Sequence, residues 1–452
     1  MATRSKFLCY ILYTPFHILW FLRRIHGDAM KLSKEDNYQI GMFMVMLAIM
    51  FYSYEYFLRV VPSVMINFYK HDYGISDKGI SFIATAYFLS YTPLQLFVGS
   101  IADTFGVRVL LLFSVMICVV GVLVSATCLA MPAITPYVFE LTVLGRFFIG
   151  FGSAFAFVAV MKTAREWLPN KYFPTISGMT TSLGMLGAIS AQTLFPVLFL
   201  LIGEANSLWV MTIIGIILYL ATHYYMFDHP SHFKIQRTNQ ISSLFKALYH
   251  VISIPQIWVN GLIGAAMFMP TVIFSDLWAP KFFEDVDHIA HPVSGVVSSM
   301  LYWGWIAGSP LVGLLSSFIG KRRIIIQVSS LLAAITITFI IYYPISNPWI
   351  VGSVMFLMGL FCSAQILTFA VANDIVEEKY VASGIAVTNM LIMCSGFLQP
   401  YIGQLLQDSA YNEQMFNADG FRQALMVMPS AMMLAFLLSF MLKESASNNK
   451  HH

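Results

Sequence analysis

The sequence predicts an all-α integral membrane protein. It has twelve transmembrane helices in two six-helix, pseudo-symmetric halves, with both termini cytoplasmic. Three observations predict this. Of 452 residues, 58% are hydrophobic and only 10% charged, more apolar surface than a soluble core can hide. Apolar runs of membrane-crossing length recur along the chain. Lys and Arg are distributed unevenly between alternate loops.

The runs fall near 40–67, 80–101, 109–130, 137–161, 174–201, 208–227, 256–279, 294–318, 324–343, 349–372, 381–406 and 422–442. Pro93, Pro196, Pro270 and Pro400 lie inside them. Packed membrane helices tolerate such prolines because neighbours re-satisfy the freed backbone groups. With the N-terminus in the cytoplasm, the inner segments hold 19 Lys and Arg and the outer loops 4. The remaining two, Arg59 and Arg146, lie inside spans. This bias orients a multi-pass protein of the cell inner membrane, with the lipid bilayer as its partner.

The organisation that follows has five parts. Residues 1–37 form a cytoplasmic or interfacial segment, 38–227 the first half, 228–255 a cytoplasmic loop, 256–442 the second half and 443–452 a tail. In the first part, "FLCYILYTPFHILWFLRR" is flanked by basic residues and is short for a span, so an interfacial helix is expected. Met30 is an alternative start. The net charge of +3 is too small to argue for nucleic acid. The cysteines (Cys9, Cys118, Cys128, Cys362, Cys394) show neither disulfide nor metal-ligand spacing. There is no Walker motif and no nucleophile–base constellation, so neither an ATPase, an enzyme nor a cofactor is expected. A monomer is expected.

The chain repeats internally. "GSIADTFGVRV" after the second run holds Gly99, Asp103, Gly106 and Arg108; "GLLSSFIGKRR" after the eighth holds Gly313, Gly320 and Arg322 at an offset of 214. "SGMTTSLG" from Ser177 matches "SGIAVTNM" from Ser383 at an offset of 206. Parallel repeats of six helices point to a transporter with its site between the halves.

The first of these segments resembles the Gly-x-x-x-Asp-x-x-Gly-x-Arg loop of the major facilitator superfamily. Arg146-Phe-Phe-Ile-Gly150-Phe-Gly152 is similar to that superfamily's Arg-x-x-x-Gly-x-Gly pattern in the fourth helix. The resemblance implies a secondary carrier working by alternating access, whose helices one, four, seven and ten line a central cavity. In the second-half loop Ser317 stands where the acid would be, so the first copy is the better gating candidate. Glycines allow the tight turn there, and Asp103 can pair with helix N-terminal amides and with an Arg. The expected gating set is Gly99, Asp103, Gly106, Arg108, Gly313, Gly320 and Arg322.

Arg59, Glu55 and Arg146 lie at mid-span. At ~1.5 Å per residue, Arg59 and Arg146 sit roughly 14 Å below the outer surface and Glu55 one turn deeper. Tyr52, Glu55, Tyr56 and Arg59 share one helical face. A charge at that depth costs about 2.5–3.5 kcal/mol on the insertion scale, so each must face protein or water. One reading is a self-satisfied Glu55–Arg59 pair at i, i+4. It leaves Arg146 without an assigned partner, which favours a functional role. Two guanidinium groups against one carboxylate suit capture of a small solute with an acidic group. Arg59, Arg146, Tyr52, Tyr56, Gln365 and Asn389 form the expected substrate-binding set, the last two as neutral contacts that packing explains equally well.

Coupling needs a titratable group. Glu55 is the expected proton carrier, its partner ion being the proton. Asp276 is a second candidate, which helical phase sets well away from the Asn260–Gly264–Met267–Thr271 stripe. Arginines in helices one and four resemble those of organic-anion transporters. "YEYFLRVVPSVM" resembles uptake carriers of intracellular gammaproteobacteria, which implies amino acids or carboxylate siderophores as alternatives. Import and export stay open, as does a non-transporting receptor on the same fold.

Overall fold

The computed structural model of this protein describes residues 34–131, 136–169, 172–227, 241–409 and 418–443. The expected interfacial helix at the N-terminus, the first part of the central loop and residues 444–452 of the tail lie outside these. Every regular element among the described residues is helical. The main ones are α1 (Tyr38–Val64), α2 (the pair Asp77–Leu94 and Val98–Phe105), α3 (Val107–Ala130), α4 (Val138–Trp167), α5 (Thr175–Ile202), α6 (Glu204–Tyr225), α7 (Pro255–Asp285), α8 (His291–Ile319), α9 (Arg322–Tyr342), α10 (Pro348–Ile375), α11 (Val381–Asp408) and α12 (Ala418–Ser439). Ten of these are each long and apolar enough to cross a membrane; α2 qualifies only as a bent pair.

Two elements depart from the expected straight apolar spans. The parts of α2 meet at 66°. Pro93 has no amide for the preceding turn. The backbone then tightens to i→i−3 bonds, Gln95 to Thr92, Leu96 to Pro93 and Phe97 to Leu94. The segment carrying Gly99 and Asp103 therefore leaves the direction of the span that precedes it. The second element, α8, is 29 residues long but is not among the ten. Its apolar content is diluted by Ser and Gly because it packs closely on α10. A Cβ on Gly304 would run into the Phe356 carbonyl, and one on Gly359 into the Leu301 carbonyl. Small residues here give backbone approach in place of lipid affinity.

The two halves break their helices at related places. A 3-10 turn, Val61–Val64, ends α1, and a π-helical stretch, Pro270–Trp278, interrupts α7. The fourth helix is interrupted between Ser153 and Ala156, and α10 at Ser363–Ile366. Each break leaves backbone groups that side chains can reach.

The halves meet along α1 with α7, α2 with α11, and α5 with α8. Asn67 Nδ2 donates to Glu284 Oε2 at 3.2 Å, Gln192 Nε2 to the Ser275 carbonyl at 2.5 Å, and Asn389 Nδ2 to Gln95 Oε1 at 2.8 Å. A Cβ on Gly403 would strike Ser81 Oγ, so α11 and α2 touch backbone to side chain.

The turn between α7 and α8 holds Asp287, 2% exposed, whose Oδ1 accepts from the Ile345 amide at 3.1 Å. Burial outweighs that hydrogen bond and pushes its carboxyl up to about 6. The folded state thus holds this proton more tightly than the unfolded chain. Its contribution to stability is present at low pH and is lost as pH rises through about 6. Asp287→Asn keeps an acceptor for Ile345 and removes the buried charge. Its Tm in detergent is expected to exceed the parent's by about 2 °C at pH 7.5, by roughly half as much at pH 5, and to match it below about pH 4. A variant less stable than the parent at pH 7.5 would contradict this.

Candidate functional site

Four charged side chains lie in the middle of the bundle, each nearly sealed from solvent: Glu55 at 1%, and Arg59, Arg146 and Asp276 at 4% each. Helical spacing on α1 sets Tyr52, Glu55, Tyr56 and Arg59 along one face, as the sequence implies. The bonds they make differ from the simplest expectation. Arg59 pairs with Asp276 of the other half, Nε to Oδ2 at 3.1 Å, instead of with Glu55. Tyr302 of α8 donates to Asp276 Oδ1 at 2.6 Å and holds it in place. Glu55 accepts from the Tyr87 hydroxyl of α2 at 3.0 Å. The Arg59 guanidinium lies over the Tyr56 ring, 4.1 Å from its centre. Its Nη2 has no hydrogen-bond partner among the described residues.

The expected phase of Asp276 is therefore corrected. At about 100° per residue an unbroken helix turns it roughly 160° from the Asn260 stripe. The π stretch, with i→i+5 bonding, advances by only about 80° per residue and brings it to within about 50°. Side chains compensate the irregular backbone. Gln192 serves the Ser275 carbonyl and Gln399 donates to the Val272 carbonyl at 2.8 Å. The balance of buried charge changes with it: two guanidinium groups now face two carboxylates.

Arg146 reaches the same region from α4. Its Nη1 donates to the Leu58 carbonyl at 2.6 Å and its Nη2 to the Arg59 carbonyl at 3.0 Å. Tyr52 packs 4.9 Å from the Tyr56 ring and 5.7 Å from Phe157. Gln365 Nε2, in the α10 break, donates to Thr368 Oγ1 just beyond it at 3.3 Å, and Asn389 takes part in the bond to Gln95 across the halves. The aromatic partners Tyr87 and Tyr302 were not singled out from the sequence. Nothing in an apolar run distinguishes a hydroxyl that meets a carboxylate from one at an interface.

The loop residues lie apart from this cluster. Asp103 Oδ1 accepts from Lys162 of α4 at 2.5 Å, in place of the expected Arg or helix amides. Arg108 Nη2 donates to the His223 carbonyl at 3.0 Å. In the second half, Arg322 pairs with Asp374 of α10 and donates to the Ala370 carbonyl at 2.9 Å. Each contact stays within its own half in this structure. Both copies tie the loop to the same helix of the repeat, with the acid and the base exchanged. Gly106 (φ 81°) and Gly320 (φ 68°) adopt backbone that L side chains rarely take, which explains glycine at both copies.

The sequence profile of the Major Facilitator Superfamily matches residues 40–400 and, in a second alignment, 286–450. The chain belongs to that superfamily. It is a multi-pass membrane carrier and not an enzyme. It is similar to a probable anion transporter of Arabidopsis thaliana, 29% identical over 157 residues, which is 35% of this chain and 35% of the plant protein. It thus spans about a third of that relative's length. Its fold is similar to a bacterial homologue of the human lysosomal transporter Spinster, inward-facing and unoccupied. That match has 15% identity, TM-score 0.69, and covers 89% of this chain and 97% of the other. It is also similar to the nucleoside transporter NupG, at 14% identity and TM-score 0.70, over 89% of this chain and 100% of the other.

Removing one partner of a buried pair costs about 3–5 kcal/mol because the other charge is stranded. Arg59→Met is expected to show that loss in denaturation of the purified carrier. Adding Asp276→Asn, which still accepts from Tyr302, should recover more than half of it. If the second substitution only adds to the damage, the pair is not the dominant partner of Arg59.

Proposed function

We propose that this carrier moves a small carboxylate-bearing solute, an organic acid or amino acid, together with a proton by alternating access. In this reading it crosses an inner membrane twelve times, α2 and α8 included, with both termini cytoplasmic. The observation that carries the reading is Arg59: buried, lying over the Tyr56 ring, and holding an Nη2 that has no hydrogen-bond partner among the described residues, beside Asp276. A planar guanidinium with an unused donor suits a second carboxylate. Tyr52, Tyr56, Gln365 and Asn389 are the proposed further contacts, and Arg146 is the second positive charge of the site. The partial similarity to a probable anion transporter supports an anionic solute.

Charge balance argues for coupling. With all four groups ionised, the cluster is neutral. A monoanion arriving alone would leave one buried negative charge uncompensated, which is costly in this setting. Arriving with a proton, it leaves the cluster neutral. Glu55 is the proposed proton acceptor because Asp276 is engaged by both Arg59 and Tyr302, whereas Glu55 accepts from Tyr87 and has no ion-pair partner within 4.0 Å among the described residues. Asp276 then serves as the fixed counter-charge of Arg59. Symport of one proton per carboxylate follows.

Glu55→Gln mimics the protonated carrier. In proteoliposomes it is expected to retain counterflow of the solute and to lose accumulation driven by an imposed pH gradient. Accumulation equal to the parent's would exclude Glu55 as the coupling residue. The solute itself is found by thermal-shift screening against amino acids, organic acids and ferric carboxylate chelates, since binding raises Tm by mass action.

The Asp103 loop is the proposed gate. Asp103→Asn weakens the bond to Lys162 without touching the buried cluster. Transport at equal surface expression is expected to fall about tenfold, the effect of roughly 1.4 kcal/mol on the exchange of states, while the Kd for solute changes less than twofold. Normal transport by this variant would count against the gate.

A further inference from the structure

Pro62 lies in the 3-10 turn that ends α1, buried, and a proline has no amide to donate. In an α-turn, the amide of residue 62 would serve the Leu58 carbonyl. In a 3-10 turn it would serve the Arg59 carbonyl. These are the two carbonyls to which Arg146 donates, at 2.6 and 3.0 Å. We propose that Arg146 is a positioning residue: its guanidinium fork replaces the amide that Pro62 lacks, fixes the break of α1, and thereby aims Arg59 at Asp276.

The geometry favours this over direct solute contact. Both terminal nitrogens of Arg146 are committed to backbone, and the side chain is 4% exposed. One of the two carbonyls belongs to Arg59 itself, so the fork holds the residue whose side chain meets Asp276. Arg146 is delivered from a helix of the same half. Gly145 and Gly150 beside it allow α4 to approach its neighbours. A Cβ on Gly150 would run into the Tyr87 carbonyl, and one on Gly145 would lie 2.5 Å from Ser125 Oγ. A lysine, with one ammonium, could not span both carbonyls in the same way.

The inference predicts a rescue. Four purified proteins are compared without solute: parent, Arg146→Gln, Pro62→Ala, and the double variant. Two quantities are read: Tm in detergent, and the rate at which phenylglyoxal modifies Arg59, followed by mass spectrometry of its peptide. Arg146→Gln is expected to lower Tm by about 5 °C, as two buried carbonyls lose their donors, and to raise Arg59 labelling about tenfold. Pro62→Ala returns an amide to the turn, so in the double variant both effects should shrink by half or more. Should Arg146→Gln fail to fold, Arg146→Lys replaces it in the same comparison. A double variant as unstable as the single Arg146 variant overturns the exchange of donors. Recovery of Tm with Arg59 labelling unchanged throughout overturns the positioning role. No solute enters the test, so its outcome is separate from that of the transport assays.

Discussion

A charge in the middle of a bilayer must be answered there, and in this carrier Arg59 is answered from the opposite half. The pair with Asp276 joins α1 to α7 at a place nearly sealed from solvent, so it binds the two halves through electrostatics as well as packing. Several other features follow from it. The Tyr302 hydroxyl orients Asp276, the Tyr56 ring supports the guanidinium, and the π stretch of α7 turns the acid toward α1. Breaking the halves apart at this level means separating opposite charges in a poorly polarisable medium, which needs a substitute ion. Under the proposed function, a solute carboxylate is that substitute for Arg59.

The helical character, the repeat and the two loop motifs were legible in the sequence because they are written in composition and spacing. So was the shared face of Tyr52, Glu55, Tyr56 and Arg59, since an unbroken helix has one phase. What was not legible depends on broken helices. The partnership of Arg59 with Asp276 follows from the π stretch, and periodicity calculated across it leads to the wrong face. The bend of α2 was signalled only by Pro93, which a membrane helix can also carry without bending. The low hydropathy of α8 becomes understandable only once its glycines are seen against α10. Lys162 as the partner of Asp103 also needed the fold, because 59 residues separate them.

The superfamily supplies the scaffold and the chemistry comes from a few side chains placed on it. Solved carriers with 14–15% identity share the fold over most of this chain. Identity that low says nothing about which charges occupy mid-span. Here those charges come from α1, α4 and α7, each of which departs from regular α-helix near the site. Irregular backbone and buried charge thus occur together, since each supplies hydrogen-bonding groups that the other requires.

The π stretch also has a consequence for comparing this chain with its relatives. A wide turn accommodates extra residues within a given length of helix, so Pro270–Trp278 acts as a local insertion hidden inside a continuous span. Aligned without a gap to a carrier whose seventh helix is regular, every position beyond it is out of phase. The residue opposite Asp276 in such an alignment would point to a different neighbour. Homology arguments about buried charges in α7 therefore have to be made in three dimensions, by facing partner, instead of by column.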